Sequence, residues 1–230
     1  MRHHLITAGL ALVFGFIGAG LWQVSGVGDR LTRNYLIENA DVLPEMAQRL
    51  QRMEMEARLA EVGADANTAF PGAVLGNPNG SKIMVKFSDY ACGYCRQAAP
   101  DVAAMIAADP DLKVVLREYP IFPGSEVSAR MALAAAKQGR FAEFHEAMFS
   151  LGQPTTENVR AAAEIAKLDM EQAQVDGQSD EISSELAKNY ALAQRLGFTG
   201  TPSWVINGRL YEGAIGRKAL ENALEEPAEG

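Results

Sequence analysis

A strand, a helix and a second strand follow one another between residues 82 and 120, and this order constrains the fold more than any other feature. The stretch "KIMVKFS" has the β-branched and aromatic residues typical of a strand. Residues 97–108 have a helical pattern that Asp109 and Pro110 end, and "LKVVLREYP" predicts a second strand ended by Pro120. One helix joining two such strands forms a βαβ unit, so we predict an α/β fold.

The rest of the globular region adds helices and a hairpin to this unit. From about residue 125 to 196 the pattern is helical, with breaks at glycine and proline. "SWVING" and "GRLYEGAIG" then predict a hairpin that turns at Asn207 and Gly208, and a last helix covers residues 217–225. We therefore predict one α/β domain over residues 73–226, interrupted by a helical insertion.

The first 28 residues have the pattern of an export signal. Arg2 precedes an uncharged run of 18 residues from Leu5 to Trp22, which is the charged-then-apolar order of a secretory signal peptide. The run is also just long enough to span a bilayer, so an uncleaved anchor over residues 5–24 stays open beside a cleaved signal. In either case we expect export to the periplasm, where disulfides persist.

Residues 29–62 predict a helical segment with a narrow apolar stripe. Apolar residues there recur at alternating spacings of three and four, as in a heptad seam: Leu43, Met46, Leu50, Met53, Ala57 and Ala60. Such a stripe must be buried either on the chain's own domain or against copies of itself, and both alternatives stay open. Residues 63–72 are small and polar with Gly and Pro, and predict a linker.

Charge and residue content exclude several classes of site. The net charge of -8, with scattered Lys and Arg, does not provide the basic face that nucleic-acid binding requires. A closed zinc site needs four Cys or His ligands, and the three histidines are His3, His4 and His145, two of which fall in the predicted signal. We therefore expect neither a nucleic-acid partner nor a structural metal, and we interpret His145 as a packed or surface histidine.

The two cysteines, Cys92 and Cys95, are best explained by redox chemistry. A permanent disulfide around so short a loop would add only about 2 kcal/mol of stability. Cys92 lies between the first strand and the helix, where free N–H groups and the helix dipole stabilise a thiolate. Cys95 lies one turn further and can resolve a mixed disulfide within the chain. We predict that Cys92 attacks and Cys95 resolves, with no cofactor besides this pair.

Three motifs in order resemble the DsbA-like branch of the thioredoxin superfamily: "FSDYACGYC", "LREYPIFPGSEVSARMALAA" and "GFTGTPSWVING". The resemblance covers about residues 73–226 and implies a thioredoxin fold with an inserted helical subdomain and thiol-disulfide oxidoreductase activity. The segment "YLIENADVLPEMAQRLQ" is similar to the oligomerisation segment of the ScsC-type subgroup. This second likeness implies an N-terminal helical stalk, residues 29–62, that holds a homotrimer together.

The resemblance also implies roles for single residues around the cysteines. Thr201 and Pro202 match the residue and cis-proline that face the CxxC motif, where an extended substrate backbone pairs as an added strand. Gly93 and Tyr94 replace the Pro-His dipeptide of the strongly oxidising family member. No histidine then supports the thiolate from inside the loop, so we expect a weaker oxidant.

Lys86 departs from the family pattern, since relatives usually place a buried Glu or Asp at this position. Strand alternation puts Lys86 on the face opposite Val85 and Phe87. A lysine cation would stabilise a nearby thiolate, and it could accept a proton only if burial lowered its pKa. We predict that Lys86 favours the reduced form; the alternative is a lysine that extends to solvent at a strand edge.

Three functions fit these features. The first is an exported oligomeric disulfide isomerase or reductase, acting on cysteine-containing substrate proteins and reset by a membrane redox partner. The second is a monomeric DsbA-like dithiol oxidase, which would be kept oxidised. The third is a chaperone-like periplasmic oligomer that binds copper, because CxxC thiolates suit Cu(I).

Overall fold

The computed structural model describes residues 10, 14–16, 18–20, 22 and 25–226. The predicted signal or anchor, residues 1–28, therefore lies mostly outside the described residues. Within the described part of the chain, no helix is long and apolar enough to cross a membrane. The chain divides into two compact units, residues 1–53 and residues 54–230.

The first unit is helical, as its sequence predicts. Helix α1 spans Val27–Glu38, and helix α2, Val42–Asn67, begins in this unit. All of α1 is described, and none of its residues is buried. Large apolar side chains of this unit are more than half exposed: Leu31, Tyr35, Ile37, Leu43, Met46, Leu50 and Met53. The predicted apolar stripe is therefore uncovered within this unit.

The later part of α2, from residue 54, belongs to the second unit and packs there through a different face from the predicted seam. Val62 and Ala66 are buried, and Leu59 packs against the same cluster as Val62. These positions are three to seven residues apart and so lie on one side of a helix. The seam residues Ala57 and Ala60 remain exposed.

The predicted linker, residues 63–72, is in part helical, because α2 continues to Asn67. Arg117 explains this difference, since its fully buried guanidinium group meets the open carbonyl groups at the end of α2. Nη2 donates to the carbonyl oxygens of Asp65, Ala66 and Thr68, and Nη1 pairs with Glu185 at 2.8 Å. A cation at a helix C-terminus satisfies carbonyl groups that the helix leaves unpaired.

The second unit is built on a mixed sheet of order β1-β3-β2-β4-β5. Its strands are β1 (Val74–Gly76), β2 (Lys82–Ser88), β3 (Leu112–Glu118), β4 (Ser203–Ile206) and β5 (Arg209–Glu212). Strands β2 and β3 are parallel and joined by helix α3, Gly93–Ala108, which confirms the βαβ unit. The β4–β5 hairpin is also confirmed; both turn residues, Asn207 and Gly208, have positive φ, as a type I′ turn requires.

The helical insertion lies between β3 and β4, where it was predicted. It consists of α4 (Glu126–Lys137), α5 (Phe141–Leu151), α6 (Thr156–Ile165), α7 (Met170–Gly177) and α8 (Asp180–Leu196). The final helix, α9, spans Arg217–Glu225. Apolar clusters cover both faces of the sheet. Met84 and Trp204 belong to the cluster that also holds both cysteines, while Val85 and Phe87 face the other way.

Candidate active site

The two cysteines lie at the start of α3, directly after the loop that follows β2. Cys92 is the N-cap residue, with extended backbone angles, and Cys95 lies in the first turn. The helix thus starts at Gly93, four residues before its predicted start at residue 97. Both thiols are free and almost fully buried, whereas Tyr94 between them is 65% exposed. In this turn the backbone N–H groups of Tyr94 and Cys95 interact with the Cys92 sulfur.

Thr201 and Pro202 directly precede β4, the neighbour of β2, and Thr201 lies beside Cys92. The peptide bond between them is cis, which confirms the predicted cis-proline. In the thiol form, Cys92 Sγ donates a hydrogen bond to the Thr201 carbonyl oxygen at 3.1 Å. In the thiolate form that bond is absent, and the Thr201 hydroxyl is the group that can donate to the sulfur.

The two thiols differ strongly in acidity. A hydrogen bond from the Cys95 thiol, with smaller contributions from the nearby Thr201 hydroxyl and from backbone N–H groups, lowers the pKa of Cys92 to about 5, and burial partly opposes this. Burial is the main cause that raises the pKa of Cys95, and the hydrogen bond to Cys92 raises it further. At neutral pH Cys92 is therefore the thiolate that can attack, and Cys95 holds its proton.

Lys86 lies behind the cysteines on a central strand and is fully buried. The alternative of a solvent-facing lysine at a strand edge is therefore wrong. Its Nζ has no hydrogen-bond partner among the described residues and lies 5.5 Å from the Phe149 ring centroid and 5.4 Å from that of Trp204. Burial lowers the pKa of Lys86, while the charges of Cys95, Glu118 and Cys92 oppose that shift.

Glu118 is a buried acid of this site that the sequence analysis missed. It is 1% exposed, and neither carboxyl oxygen has a hydrogen-bond partner among the described residues. Burial raises the pKa of Glu118 well above its usual value, while the neighbouring Tyr90 hydroxyl and, to a smaller extent, the charge of Lys86 oppose this. The register pairs Ser88 with Glu118 and Lys86 with Leu116, so strand alternation puts Glu118 and Lys86 on one face.

His145 is a packed residue, which was one of its two predicted roles. It is 6% exposed, and its Nδ1 lies 3.0 Å from the Tyr90 hydroxyl oxygen. Burial, followed by the charge of Lys86, holds the pKa of His145 well below its usual value. His145 is therefore neutral at physiological pH. No cluster of three potential metal ligands exists among the residues that the structure describes.

Asp89 fixes the loop that carries Cys92, and the sequence analysis did not single it out. Oδ1 accepts from the Ala91 N–H at 2.8 Å, and Oδ2 accepts from the N–H of Ile121 at 2.7 Å and of Phe122 at 2.9 Å. The Ser125 hydroxyl also donates to Oδ2 at 2.8 Å. One buried carboxylate thus joins the cysteine loop to the loop after β3.

Replacing Asp89 by asparagine should lower the free energy of unfolding by about 1–3 kcal/mol, because an amide leaves a buried N–H donor unsatisfied. Urea unfolding of the reduced protein measures this change. Asp101→Asn is the matched control, because Asp101 is a half-buried acid on α3. This substitution should change the free energy of unfolding by less than about 0.5 kcal/mol. Equal effects of the two substitutions would contradict the organising role of Asp89.

A cysteine pair at the N-terminus of the helix that joins two parallel strands of a mixed sheet defines the class of thioredoxin-like proteins. Within that class, residues 83–225 match the family described as the DSBA-like thioredoxin domain. The chain therefore belongs to the DsbA-like thioredoxin family of thiol-disulfide oxidoreductases.

Solved structures agree with this assignment. A thioredoxin-like oxidoreductase from Silicibacter pomeroyi DSS-3 is 41% identical, with a TM-score of 0.63 over 66% of this chain and 89% of that one. ScsC of Proteus mirabilis, in a transitional conformation, is 22% identical and shares the fold, with a TM-score of 0.65 over 86% and 91% of the two chains.

Curated relatives are longer proteins. The Na(+)/H(+) antiporter NhaA 1 of Salinispora arenicola is 28% identical over 145 residues, which are 61% of this chain and 22% of the antiporter. The chain spans about a quarter or less of the length of the curated relatives that it matches.

Proposed function

We propose that this chain is an exported, oligomeric protein disulfide isomerase or reductase that acts through Cys92 and Cys95. The observation that carries the proposal is the Cys92 sulfur, held at the N-terminus of α3 beside Thr201, with its pKa lowered to about 5. A thiolate is the form that attacks a disulfide, so this sulfur is ready to react at neutral pH.

The reaction begins with attack of the Cys92 thiolate on one sulfur of a substrate disulfide. A bond forms between Cys92 and that sulfur, the substrate S–S bond breaks, and the other substrate sulfur leaves as a thiolate. Isomerisation follows when a second substrate thiolate attacks the mixed disulfide and Cys92 leaves. Reduction follows when Cys95 loses its proton and attacks Cys92, which releases the substrate thiol and leaves a Cys92–Cys95 disulfide.

In this proposal, the backbone of the substrate pairs with Thr201 and Pro202. The Thr201 carbonyl oxygen lies 3.1 Å from the Cys92 sulfur, and β4 starts one residue after Pro202. An extended substrate segment that pairs with this backbone would therefore present its sulfur to Cys92. No cofactor besides the cysteine pair is required, and a membrane redox partner that reduces the Cys92–Cys95 disulfide would restore the active thiols.

The exposed seam on α2 supports an oligomer, for which we propose a homotrimer. Its members from Leu43 to Ala60 are all exposed, whereas Leu59 and Val62, on another face, pack within the second unit. We call this second unit, which holds both cysteines, the catalytic unit. Apolar side chains at heptad spacing are stabilised by burial against other helices. Several active sites joined in one assembly would raise the local thiol concentration around a misfolded substrate, which suits isomerisation.

Charges placed in the seam should separate the oligomer and selectively weaken isomerisation. In Met46→Glu/Leu50→Glu, like charges one turn apart prevent burial of the stripe. We expect monomers by light scattering and refolding of a scrambled-disulfide protein that is slower by about tenfold or more. Oxidation of a small dithiol peptide should be unchanged, because each catalytic unit holds its own cysteine pair.

The matched control is Gln48→Glu/Gln51→Glu, which adds the same charge at exposed positions of α2 outside the seam. This control should remain oligomeric and fully active. If the seam variant is monomeric yet isomerises at the full rate, a monomeric dithiol oxidase or reductase becomes the better account. If Cys92→Ser leaves scrambled-protein refolding intact and the protein retains Cu(I) through gel filtration, the copper-binding account is favoured.

A further inference from the structure

The proton of Cys95 has to leave a closed part of the molecule. Reduction of a substrate requires the Cys95 thiol to lose its proton before the sulfur attacks Cys92. Because Cys95 is fully buried, and burial raises its pKa, bulk water cannot take this proton directly. The step therefore needs a base near Cys95 and a route from that base to solvent.

Lys86 and Glu118, which we call the buried pair, lie behind the cysteines. They are on one face of neighbouring strands, and the charge of Lys86 interacts with those of both Glu118 and Cys95. Asp89, the other acid that faces Glu118, accepts hydrogen bonds from the backbone after β3 and is not part of this pair. The buried pair is thus the acid-base group that lies within electrostatic reach of Cys95.

The charge of the buried pair changes during the reaction. In the mixed disulfide, the Cys92 thiolate no longer balances the Lys86 cation, and an unpaired buried charge is costly. The pair is then neutral as a whole and can accept the proton of Cys95. The Cys95 thiolate attacks Cys92, the bond between Cys92 and the substrate breaks, and the substrate sulfur leaves as a thiolate. The pair is again positively charged and must release one proton.

Tyr90 connects the buried pair to a histidine. Its hydroxyl neighbours the Glu118 carboxyl group, and its oxygen lies 3.0 Å from His145 Nδ1. The Tyr90 and His145 rings both pack against Phe149, with centroid distances of 4.9 and 4.8 Å. Lys86 Nζ lies 5.5 Å from the centroid of the same ring. The polar groups of these four residues therefore lie around one aromatic side chain.

His145 reaches a pocket of about 660 Å³ between α3, β1 and α5. The lining also contains Arg96 and Glu146, and solvent reaches it because Glu146 and Ser150 are exposed. His145 is neutral, so one ring nitrogen can accept a proton while the other donates one. Nδ1 faces the Tyr90 hydroxyl. Nε2 has no hydrogen-bond partner among the described residues and, unlike Lys86 Nζ, is not closed off from solvent.

We propose that Tyr90 and His145 carry the proton of Cys95 from the buried pair to solvent. The Tyr90 oxygen takes a proton from Glu118, its own hydroxyl proton moves to His145 Nδ1, and the Nε2 proton leaves to water in the pocket. Neither residue touches a reacting sulfur, so both act through the buried pair. This inference rests on the exchange reaction proposed above and adds the route by which its second step loses a proton.

Rapid mixing of the full reduced chain with oxidised glutathione tests the proposal, because acid quenching and mass spectrometry separate two phases. The first phase adds glutathione to Cys92, and the second replaces it by the Cys92–Cys95 disulfide. Tyr90→Phe removes only the hydroxyl and should slow the second phase about tenfold or more, with the first unchanged. Tyr119→Phe is the matched control, since Tyr119 is also buried but packs in the other apolar cluster; it should change neither phase.

Chemical rescue separates a proton route from a structural role. His145→Ala should also slow the second phase about tenfold or more, and imidazole in the buffer should restore it by taking the proton from Tyr90. Imidazole should not restore Tyr90→Phe, which lacks the preceding group. If His145→Ala does not fold, Tyr90→Phe decides alone.

An unchanged second phase in Tyr90→Phe, equal slowing of both phases, or a folded His145→Ala that imidazole does not restore would each overturn the proton route. Absence of any glutathione adduct at Cys92 in the natural protein would instead overturn the proposed function, and the proton route with it.

Discussion

Replacing Cys92 by serine should reduce thiol-disulfide exchange to the rate seen without protein, because the hydroxyl left at this position cannot form a disulfide. Cys95→Ser should instead retain the attacking thiolate and accumulate a mixed disulfide with substrate, since the resolving sulfur is gone. Mass spectrometry of the protein after incubation with a cysteine-containing peptide disulfide distinguishes the two variants. The peptide should add to Cys95→Ser and not to Cys92→Ser.

The pH dependence of this chemistry follows from the acidity of Cys92. Because hydrogen bonds lower its pKa to about 5, the thiolate fraction should rise as pH increases through that value and level off above it. The rate of alkylation by iodoacetamide should therefore be half its plateau value near pH 5. An unperturbed thiol would reach half of its plateau at about pH 8.5.

Cys95→Ser is also the control for this titration, since it removes the first of the hydrogen-bond donors that lower the Cys92 pKa. The midpoint of alkylation should therefore shift to higher pH in Cys95→Ser, although a serine hydroxyl can replace part of the bond. A midpoint near pH 8.5 in the natural protein would contradict the roles assigned to the two cysteines.

The local pattern of the sequence was sufficient for the parts of the fold that depend on neighbouring residues. Alternation in "KIMVKFS" correctly placed Lys86 opposite Val85 and Phe87, and the Asn-Gly pair correctly placed the hairpin turn. The start of α3 was missed because Gly93 is a poor helix former, and a cysteine at the N-cap is not a usual capping residue.

Buried charges could not be predicted in the same way, because their partners lie far away in the sequence. Arg117 and Glu118 are adjacent on β3, point to opposite faces, and are both buried. The charge of Arg117 is balanced by Glu185 and by a carbonyl group at the end of α2. Both lie far from Arg117 in the sequence, so a local sequence pattern does not predict these contacts. Alternation in "LREYP" could have placed Glu118 beside Lys86, but strand ends with charged residues are usually solvated.

The packing of helix α2 also could not be predicted from residue spacing alone. Its seam was predicted from one heptad pattern, yet the same helix carries a second apolar face, containing Leu59, Val62 and Ala66, that packs on the catalytic unit. Two faces that share one helix cannot be assigned to different partners from spacing alone. Leu59 and Val62 pack in the cluster that holds Val85 and Phe87, and Arg117 donates to the carbonyl oxygen of Ala66.

Removing the positive charge of Lys86 should make the cysteine pair less oxidising. A thiolate exists only in the reduced form, and the charges of Cys95 and Cys92 interact with Lys86. Lys86→Met therefore destabilises the reduced form and leaves the disulfide form unaffected. Each unit by which the Cys92 pKa rises should lower the reduction potential by about 30 mV, measured by equilibration with glutathione.

Lys86→Glu should shift both quantities in the same direction and by about as much as Lys86→Met, because a carboxyl group that keeps its proton also lacks the positive charge. It places a second buried carboxyl group beside Glu118, whose own pKa burial already raises, so neither acid ionises readily next to the thiolate. Lys82→Met is the matched control, because Lys82 lies on the same strand but is exposed and paired with Asp109. Unchanged Cys92 pKa and potential in both Lys86 variants would show that the buried lysine does not set the redox balance; shifts in these variants and not in Lys82→Met would assign that role to Lys86.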